Sequence, residues 1–380
     1  MKFSNIPIRA KTGCFCAALA AGLPFANLVW AQNYHPADIN QNHVIERAEL
    51  EALFDLPAWR QDLETQMLRA VQLFNAGGYV EDATSWDGFK PASLDYLVLN
   101  LESNTVERLE ENQAPGVWTD EYKTTKLVLR RIKAGTFTMG SPASELGRNP
   151  NETQQTVTLA QDYFIGVFPV TQRQWELVMG AGARPSHFSR DEFYAARPVE
   201  NVSYNATRGA GDNPVANSFL GRLRAKYAGD ALGLRFDLPT EAQWEYACRA
   251  TTTNALNNGM NLTTTGNQAP FACPNLNPLA RYLHNPSSNS ANALNTSDLN
   301  AGTATVGSYE RNLWGLYDMH GNVQERCLDL LGGNRVVRGG AWNLIASQAR
   351  SARRLTEPAA GLPNISIGLR VCAPMPATLP

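Results

Sequence analysis

At 380 residues the chain has room for one large core or two smaller ones. It is 43% hydrophobic and 18% charged with a formal net charge of -2, so it is composed as a globular protein and lacks the overall basic excess that suits nucleic acid. Charge is sparse, while Asn, Thr, Ser and Gly run high over 251–307, which predicts a long polar surface region.

The N-terminus has the layout of an export leader. Lys2, Arg9 and Lys11 form a basic start, 14–29 is largely apolar, and Val29-Trp30-Ala31 offers a small-residue cleavage site before Gln32. Pro24 and Asn27 interrupt an apolar run that is already short for a membrane anchor. A mature chain that is secreted, periplasmic or at the cell surface follows, with no retained membrane span. Cys248, Cys273, Cys327 and Cys372 then remain. Four cysteines allow three pairings and none forms a C-x-x-C pair, so one or two disulfides, or buried thiols, are expected.

Next comes Asp38-Ile39-Asn40-Gln41-Asn42-His43-Val44-Ile45-Glu46-Arg47-Ala48-Glu49. Oxygen donors at alternating positions around a turn, closed by a carboxylate, suit a hard cation. The segment resembles the EF-hand and dockerin-type calcium loops of secreted proteins. Its ligands would be Asp38, Asn40, Asn42, Val44, Glu46 and Glu49. His43 replaces the usual turn glycine and two donors are neutral, which implies weak affinity; a capped helix start is the simpler alternative.

Helical patterning covers 47–54 and 64–74, where Met67, Val71 and Phe74 share a face, and Gly77-Gly78 ends it. A turn follows at 87–91, a strand at 94–101, and a polar linker at 102–122. Short strands are expected at 127–129, 135–141, 154–159 and 163–166. Thr171 caps a helix opening at 169–175, and 197–204 reads as a strand running into a turn. The 217–227 stretch is an amphipathic helix. Thr240 and Gln243 then form a capping box that starts a helix to Arg249. The segment 312–370 is dense in Gly, Asn, aromatics and Arg, the composition of a compact loop-rich structure.

Taken in order, 135–140, 169–175, 197–204, 238–249, 314–325 and 335–370 resemble the formylglycine-generating enzyme, or sulfatase-modifying factor, family. The resemblance implies an α+β fold of the C-type-lectin-like class with little regular secondary structure. The expected layout is a signal peptide at 1–31, an EF-hand-like helical module at 32–90, a strand and linker at 91–125, and the family domain at 126–374. The resemblance also implies a structural calcium held by the side chains of Asp318 and Glu325 and the carbonyls of Gly321 and Val323. A turn whose carboxylates only cap local backbone is the alternative. Gln324 and Arg326 stand where the family usually has aromatic residues.

Catalytic members resemble one another in a cysteine pair that holds copper and oxidises a substrate cysteine. Counted from Gly339-Gly340, the pair falls on Ala349 and Arg354, neither of which can ligate Cu(I). Copper and oxidase activity are therefore not expected. The C-terminal segment also resembles the variable region of diversity-generating-retroelement proteins, which present a ligand-binding surface on the same fold. Their fixed residues match Trp342, Arg350, Ser351, Arg354, Pro358 and Gly368. The implied binding face spans 342–365, from Trp342 through Leu344, Ile345, Ser347, Gln348, Arg353, Leu355, Thr356, Glu357 and Leu362 to Ile365, and it should face solvent.

Arg335, Arg338, Arg350, Arg353, Arg354 and Arg370 meet one local acid, Glu357. They could line a site for an acidic or peptide-backbone ligand, or pair as scaffold with carboxylates such as Glu241, Glu245 and Glu325, with Arg353 the exception. The histidines are scattered, and there is no H-E-x-x-H, G-x-S-x-G or phosphate loop. The leading expectation is an exported binding protein with structural calcium and a protein or surface ligand. The alternatives are a formylglycine-generating oxidase and a purely structural surface module.

Overall fold

A computed structural model describes residues 79–81, 89–91, 94–115, 117–229, 233–285 and 301–375. The leader (1–31), the calcium-type loop (38–49) and the helical runs 47–54 and 64–74 lie outside the described residues. Two compact units are distinguished, one of 1–94 with 378–380 and one of 95–377.

The first unit shows one antiparallel hairpin, β1 (Tyr79–Glu81) with β2 (Phe89–Pro91). Residues 89–91, expected within a turn, are a strand, as their aromatic and extended-chain residues favour.

In the second unit, β3 (Tyr96–Asn100) is almost wholly apolar and buried, the mark of a strand covered on both faces. It pairs with β4 (Val106–Leu109) and with β5 (Lys126–Ile132), setting Leu97 against Leu129 and Val98 against Val128. The stretch expected as a polar linker thus carries an edge strand and a short helix, α1 (Glu121–Thr124). Pairing with β3 supplies the order that its own sequence lacks. A separate hairpin joins β6 (Gly135–Met139) to β7 (Gln155–Leu159). With β8 (Tyr163–Gly166) and β15 (Cys372–Pro374), the main sheet has the order β15-β8-β5-β3-β4.

The helices start where capping chemistry places them. Thr171 and Gln174 form a capping box on α2 (Gln172–Met179). Ser203 caps α3 (Tyr204–Thr207) and Ser218 caps α4 (Phe219–Lys226). Trp175 of α2 stacks on Phe219 of α4 at 5.1 Å. Thr240 and Gln243 box α5 (Glu241–Arg249). The strand expected at 197–204 is reduced to one bridge between Thr171 and Pro198, after which the chain turns into α3. Pro198 has no N–H to extend a ladder.

Strand β9 (Ala280–Arg281) lies parallel to β10 (His320–Gly321). The second sheet has the order β13-β12-β11-β14. Its members are β11 (Gln324–Leu331), β12 (Asn334–Arg338), β13 (Leu355–Glu357) and β14 (Ile367–Gly368). A register shift interrupts β11 between Arg326 and Leu330, which hides its period from sequence reading. The polar region 251–307 is not surface alone. Leu256, Leu262, Leu276, Leu279 and Tyr282 make a buried cluster with Ala346 and Ala349. Another core gathers Ile132, Tyr163, Trp244, Met319, Cys327 and Cys372. Among the described residues, no helix is long and apolar enough to cross a membrane.

Candidate binding cleft and its arginine scaffold

Strand β12 ends in Arg338-Gly339-Gly340, and the chain must double back there. Gly340 has φ 77°, and a Cβ on it would meet the Ala349 Cα at 2.8 Å. Only glycine permits that approach at that φ. The returning loop is then pinned by three arginines. Arg338, wholly buried, donates to Glu245 of α5 and to the carbonyls of Ser351 and Ala352. Arg350 donates to both oxygens of Glu152 at 2.8 Å and also pairs with Glu145. Arg354 makes a two-point pair with Glu241 and donates to the Asn151 carbonyl at 3.1 Å. Forked, charge-assisted bonds of this kind offset the cost of burying the charges.

Arg353 is different. Its Nε donates to Gln348 at 2.8 Å and its terminal nitrogens lie against the Asn149 side-chain oxygen, while the nearest carboxylate, Glu152, is 3.8 Å away and is already held on both oxygens by Arg350. Burial lowers its pKa from the ordinary value; Glu152 opposes this, while the like charges of Arg350 and Arg338 add to it. The guanidinium stays charged nonetheless. It opens on a cleft of about 450 Å³ formed by the loop 149–151, Leu331 and the run 353–356. That volume is at the small end of ligand sites. Among the described residues, no acidic or aromatic side chain lines it.

Three of the eleven residues expected to make one solvent-facing patch are withdrawn from solvent. Thr356 and Leu362 are exposed, and Leu344, Ile345, Gln348, Arg353, Leu355 and Ile365 are half-buried. Trp342, Ser347 and Glu357 are buried and belong to the scaffold instead. Trp342 packs edge-on against Phe188 at 5.1 Å and donates its indole N–H to the Ile365 carbonyl. Ser347 lies under Gly147. Glu357 accepts the fork of fully buried Arg326, at 2.6 and 3.1 Å. Leu344, Ile365 and Phe193 gather around Trp342, whereas Arg353, Leu355 and Thr356 line the cleft. Asn149, Asn151 and Leu331 of the cleft were not singled out from sequence; the polar Asn149-Pro150-Asn151 turn was the available signal.

At the loop read as a calcium site, Asp318, Gly321, Val323 and Glu325 are all buried. Asp318 accepts from the Gly307 N–H at 2.7 Å and from the Asn322 amide at 3.3 Å. Burial pushes its carboxyl up to about 6, which the Gly307 bond, Arg370 and Asn322 oppose and the charge of Glu325 reinforces. Glu325 accepts from Arg370 on both oxygens and from the Trp244 indole at 2.6 Å. Arg370 thus pairs with Glu325, while Asp318 is held by backbone and amide donors and feels the charge of Arg370 without bonding to it. His320 is a buried strut whose Nδ1–H donates to the Ala349 carbonyl and whose Nε2 accepts the Asn257 N–H. Burial holds it down to about 4, so it is neutral. Among the described residues, no three His, Cys, Asp or Glu side chains gather as a metal cluster.

Of the alternatives for the cysteines, the structure has buried thiols: Cys248, Cys273, Cys327 and Cys372 are all free. Burial pushes Cys248 up to about 12 and raises Cys327 and Cys372 well above the ordinary thiol value. Protonated thiols are poor copper ligands. Ala349, one of the two positions expected to correspond to the family's copper pair, is buried, and the other, Arg354, is committed to Glu241.

Comparison with known proteins agrees with this architecture. The chaperone protein LppX of Paenibacillus barcinonensis is 30% identical over 226 residues, covering 50% of this chain and 72% of that protein. The solved structure of PvdO from Pseudomonas aeruginosa is 22% identical, with a TM-score of 0.51, over 69% of this chain and 99% of that one. Treponema denticola variable protein 1 is 25% identical with a TM-score of 0.48, over 65% of this chain and 95% of that one. The sulfatase-modifying factor enzyme 1-like domain matches residues 117–374, the stretch that holds the second sheet, strands β5, β8 and β15 of the main sheet, the arginine scaffold and the cleft, and the chain belongs to that family.

Proposed function

We propose that this domain is a non-catalytic binding module whose ligand meets the arginine-braced loop within 342–365. The observation that carries this is the fate of the reactive groups. Cys248, Cys273, Cys327 and Cys372 are sealed in the core, while Arg353 is held at the wall of an open cleft with its nearest carboxylate already taken. A relative named as a chaperone supports a polypeptide as the ligand. Incubation with copper, oxygen and a cysteine-containing sulfatase peptide should give no aldehyde, and Cys248, Cys273, Cys327 and Cys372 should resist alkylation until the chain is unfolded. Aldehyde formation would show an oxidase instead.

We also propose a structural calcium on Asp318, Glu325 and the carbonyls of Gly321 and Val323. It is supported by the charge balance there: Asp318 is buried without a cation bonded to it, near Glu325 whose own partner is Arg370, and such a pair favours one more positive charge. Calcium supplies that charge and ties the loop by hard oxygen donors. Calcium at a hundredfold excess over its Kd should add about 3 kcal/mol to unfolding. Thermal melts in EGTA and in calcium check this, with Asp318→Asn separating this site from any effect of 38–49. Superimposable melts for the natural chain would remove the ion from the account.

A further inference from the structure

Between β6 and β7 the chain makes a closed loop, 142–151. Its base is tied twice: the Ser141 N–H donates to the Glu152 carbonyl at 2.9 Å, and the Ser141 hydroxyl donates to the Glu152 carboxylate at 2.8 Å. From that base the loop lies along 347–354, the middle of the proposed ligand segment. Arg350 donates to the Gly147 carbonyl at 2.6 Å and pairs with Glu145. Arg354 donates to the Asn151 carbonyl at 3.1 Å, and Arg353 lies against Asn149. Gly147, at φ 80°, sits on Ser347 so closely that a Cβ on it would meet the Ser347 Cβ at 2.7 Å. Two features separate this loop from the scaffold beneath it. Every residue of 142–151 is exposed or half-buried and none belongs to the apolar core, so no apolar burial holds the loop down. In addition, each arginine that ties it has a further partner elsewhere: Arg350 keeps both oxygens of Glu152, Arg354 keeps Glu241, and Arg353 keeps Gln348.

We propose that 142–151 is a strap over the ligand face, which lifts from its Ser141–Glu152 base while the core stays folded and returns Ser347 to solvent. The inference rests on the binding role above for what the strap covers. Ser347 is buried beneath Gly147, which is why this one residue of the expected face is withdrawn. Lids are drawn from the parts of a fold that few apolar contacts hold. Lifting this one strands no buried guanidinium, because Glu152, Glu241 and Gln348 remain in place. Glu145 is the group given back to water. Burial raises its carboxyl pKa above the ordinary value, with Arg350 and Arg249 opposing and Glu152 reinforcing, so its charged form gains hydration on release.

Ser347→Cys in the full chain makes the opening visible. N-ethylmaleimide labelling is followed thiol by thiol by peptide mass mapping, each rate being referred to that of the same thiol in the urea-unfolded chain. The new thiol should label at least about tenfold faster than Cys248, Cys273, Cys327 and Cys372 in the same molecules, since it needs the strap to lift and they need the core to open. Its rate should also change little at low urea, because a ten-residue opening exposes little surface, whereas the four core thiols should accelerate steeply. Adding Gly147→Ala puts a methyl where the closed strap has no room, at a φ that alanine rarely takes. The new thiol should then lose most of its remaining protection while the core thiols keep theirs. In the natural chain, trypsin cleavage between Arg148 and Asn149 should likewise be insensitive to low urea, so a variant that misfolds does not spare the idea. Labelling of the new thiol in step with the core thiols across the urea series overturns the strap. So does cleavage at Arg148 that begins only as the chain unfolds; 142–151 is then part of the fixed scaffold. Neither readout uses a ligand, copper or a sulfatase peptide, so failure of the strap leaves the binding reading standing, whereas aldehyde formation would remove that reading without reference to the strap.

Discussion

Glu245→Ala is expected to destabilise the domain by about 3–5 kcal/mol, the cost of leaving a buried charge without its partner. Glu245 is nearly inaccessible and serves three elements at once. One oxygen accepts from the Gly140 N–H at 2.8 Å and from Arg249 at 2.9 Å, and the other accepts from Arg338. Removing it strands two guanidinium groups in the core and cuts the tie between α5, the end of β6 and β12. Arg338 also holds the Ser351 and Ala352 carbonyls, so the loop that sets Arg353 should loosen as stability falls. Urea unfolding followed by tryptophan fluorescence measures the first effect. Glu245→Gln keeps the shape and one acceptor and should recover part of the loss. Glu192→Gln, at an exposed pair with Arg190, should leave the midpoint unchanged. A loss at Glu245 below about 1 kcal/mol would mean the network is no stronger than a surface pair.

That network also shows what could be read from the chain alone. Local chemistry was legible: the Thr171 and Thr240 capping boxes sit three residues from their partners, and both helices begin where those residues place them. The apolar run of β3 announced a buried strand. Edge strand β4 was not legible, because Val106-Glu107-Arg108-Leu109 takes its order from β3 rather than from its own pattern. Strand β11 was hidden by the register shift within it. Pairing of charges was half legible. Glu241, Glu245 and Glu325 could be named as acids awaiting arginines, but Glu145 and Glu152 reach Arg350 across about two hundred residues of chain, with no periodicity to join them. Glu357 looked like a surface acid because its partner, Arg326, occupies a position that otherwise invites an aromatic residue. The sparse leucines of 251–285 looked like polar surface because only turns, not a regular period, bring them together. The cleft has the same origin: its two walls lie far apart in sequence and meet through Arg354 and the Asn151 carbonyl.

Glu200→Gln is expected to remove most of a pH dependence that the natural chain shows between about pH 5 and pH 8. Glu200 is wholly buried, and no hydrogen-bond donor reaches one of its carboxylate oxygens. The other accepts the Phe188 N–H at 3.1 Å, beneath the ring that supports Trp342. Burial pushes the carboxyl up to about 8, against the lowering effect of the Phe188 and His187 N–H groups and the Ser186 hydroxyl. The folded value lies above the unfolded one, so the folded chain keeps a proton that the unfolded chain gives up. The stability contributed by that proton is fully present below about pH 4.5 and is lost as pH rises through about 8, a swing of a few kcal/mol on the order of 1.4 kcal/mol per pKa unit. Glutamine keeps the acceptor for Phe188 and carries no charge at any pH. The difference in unfolding free energy between the variant and the natural chain should therefore be small at pH 5 and should grow in favour of the variant up to pH 9. Taking the difference also cancels the titration of Asp318, which is common to both proteins. If the two stability curves run parallel from pH 5 to pH 9, Glu200 has a cation or a water chain beside it and its burial is not what sets its charge.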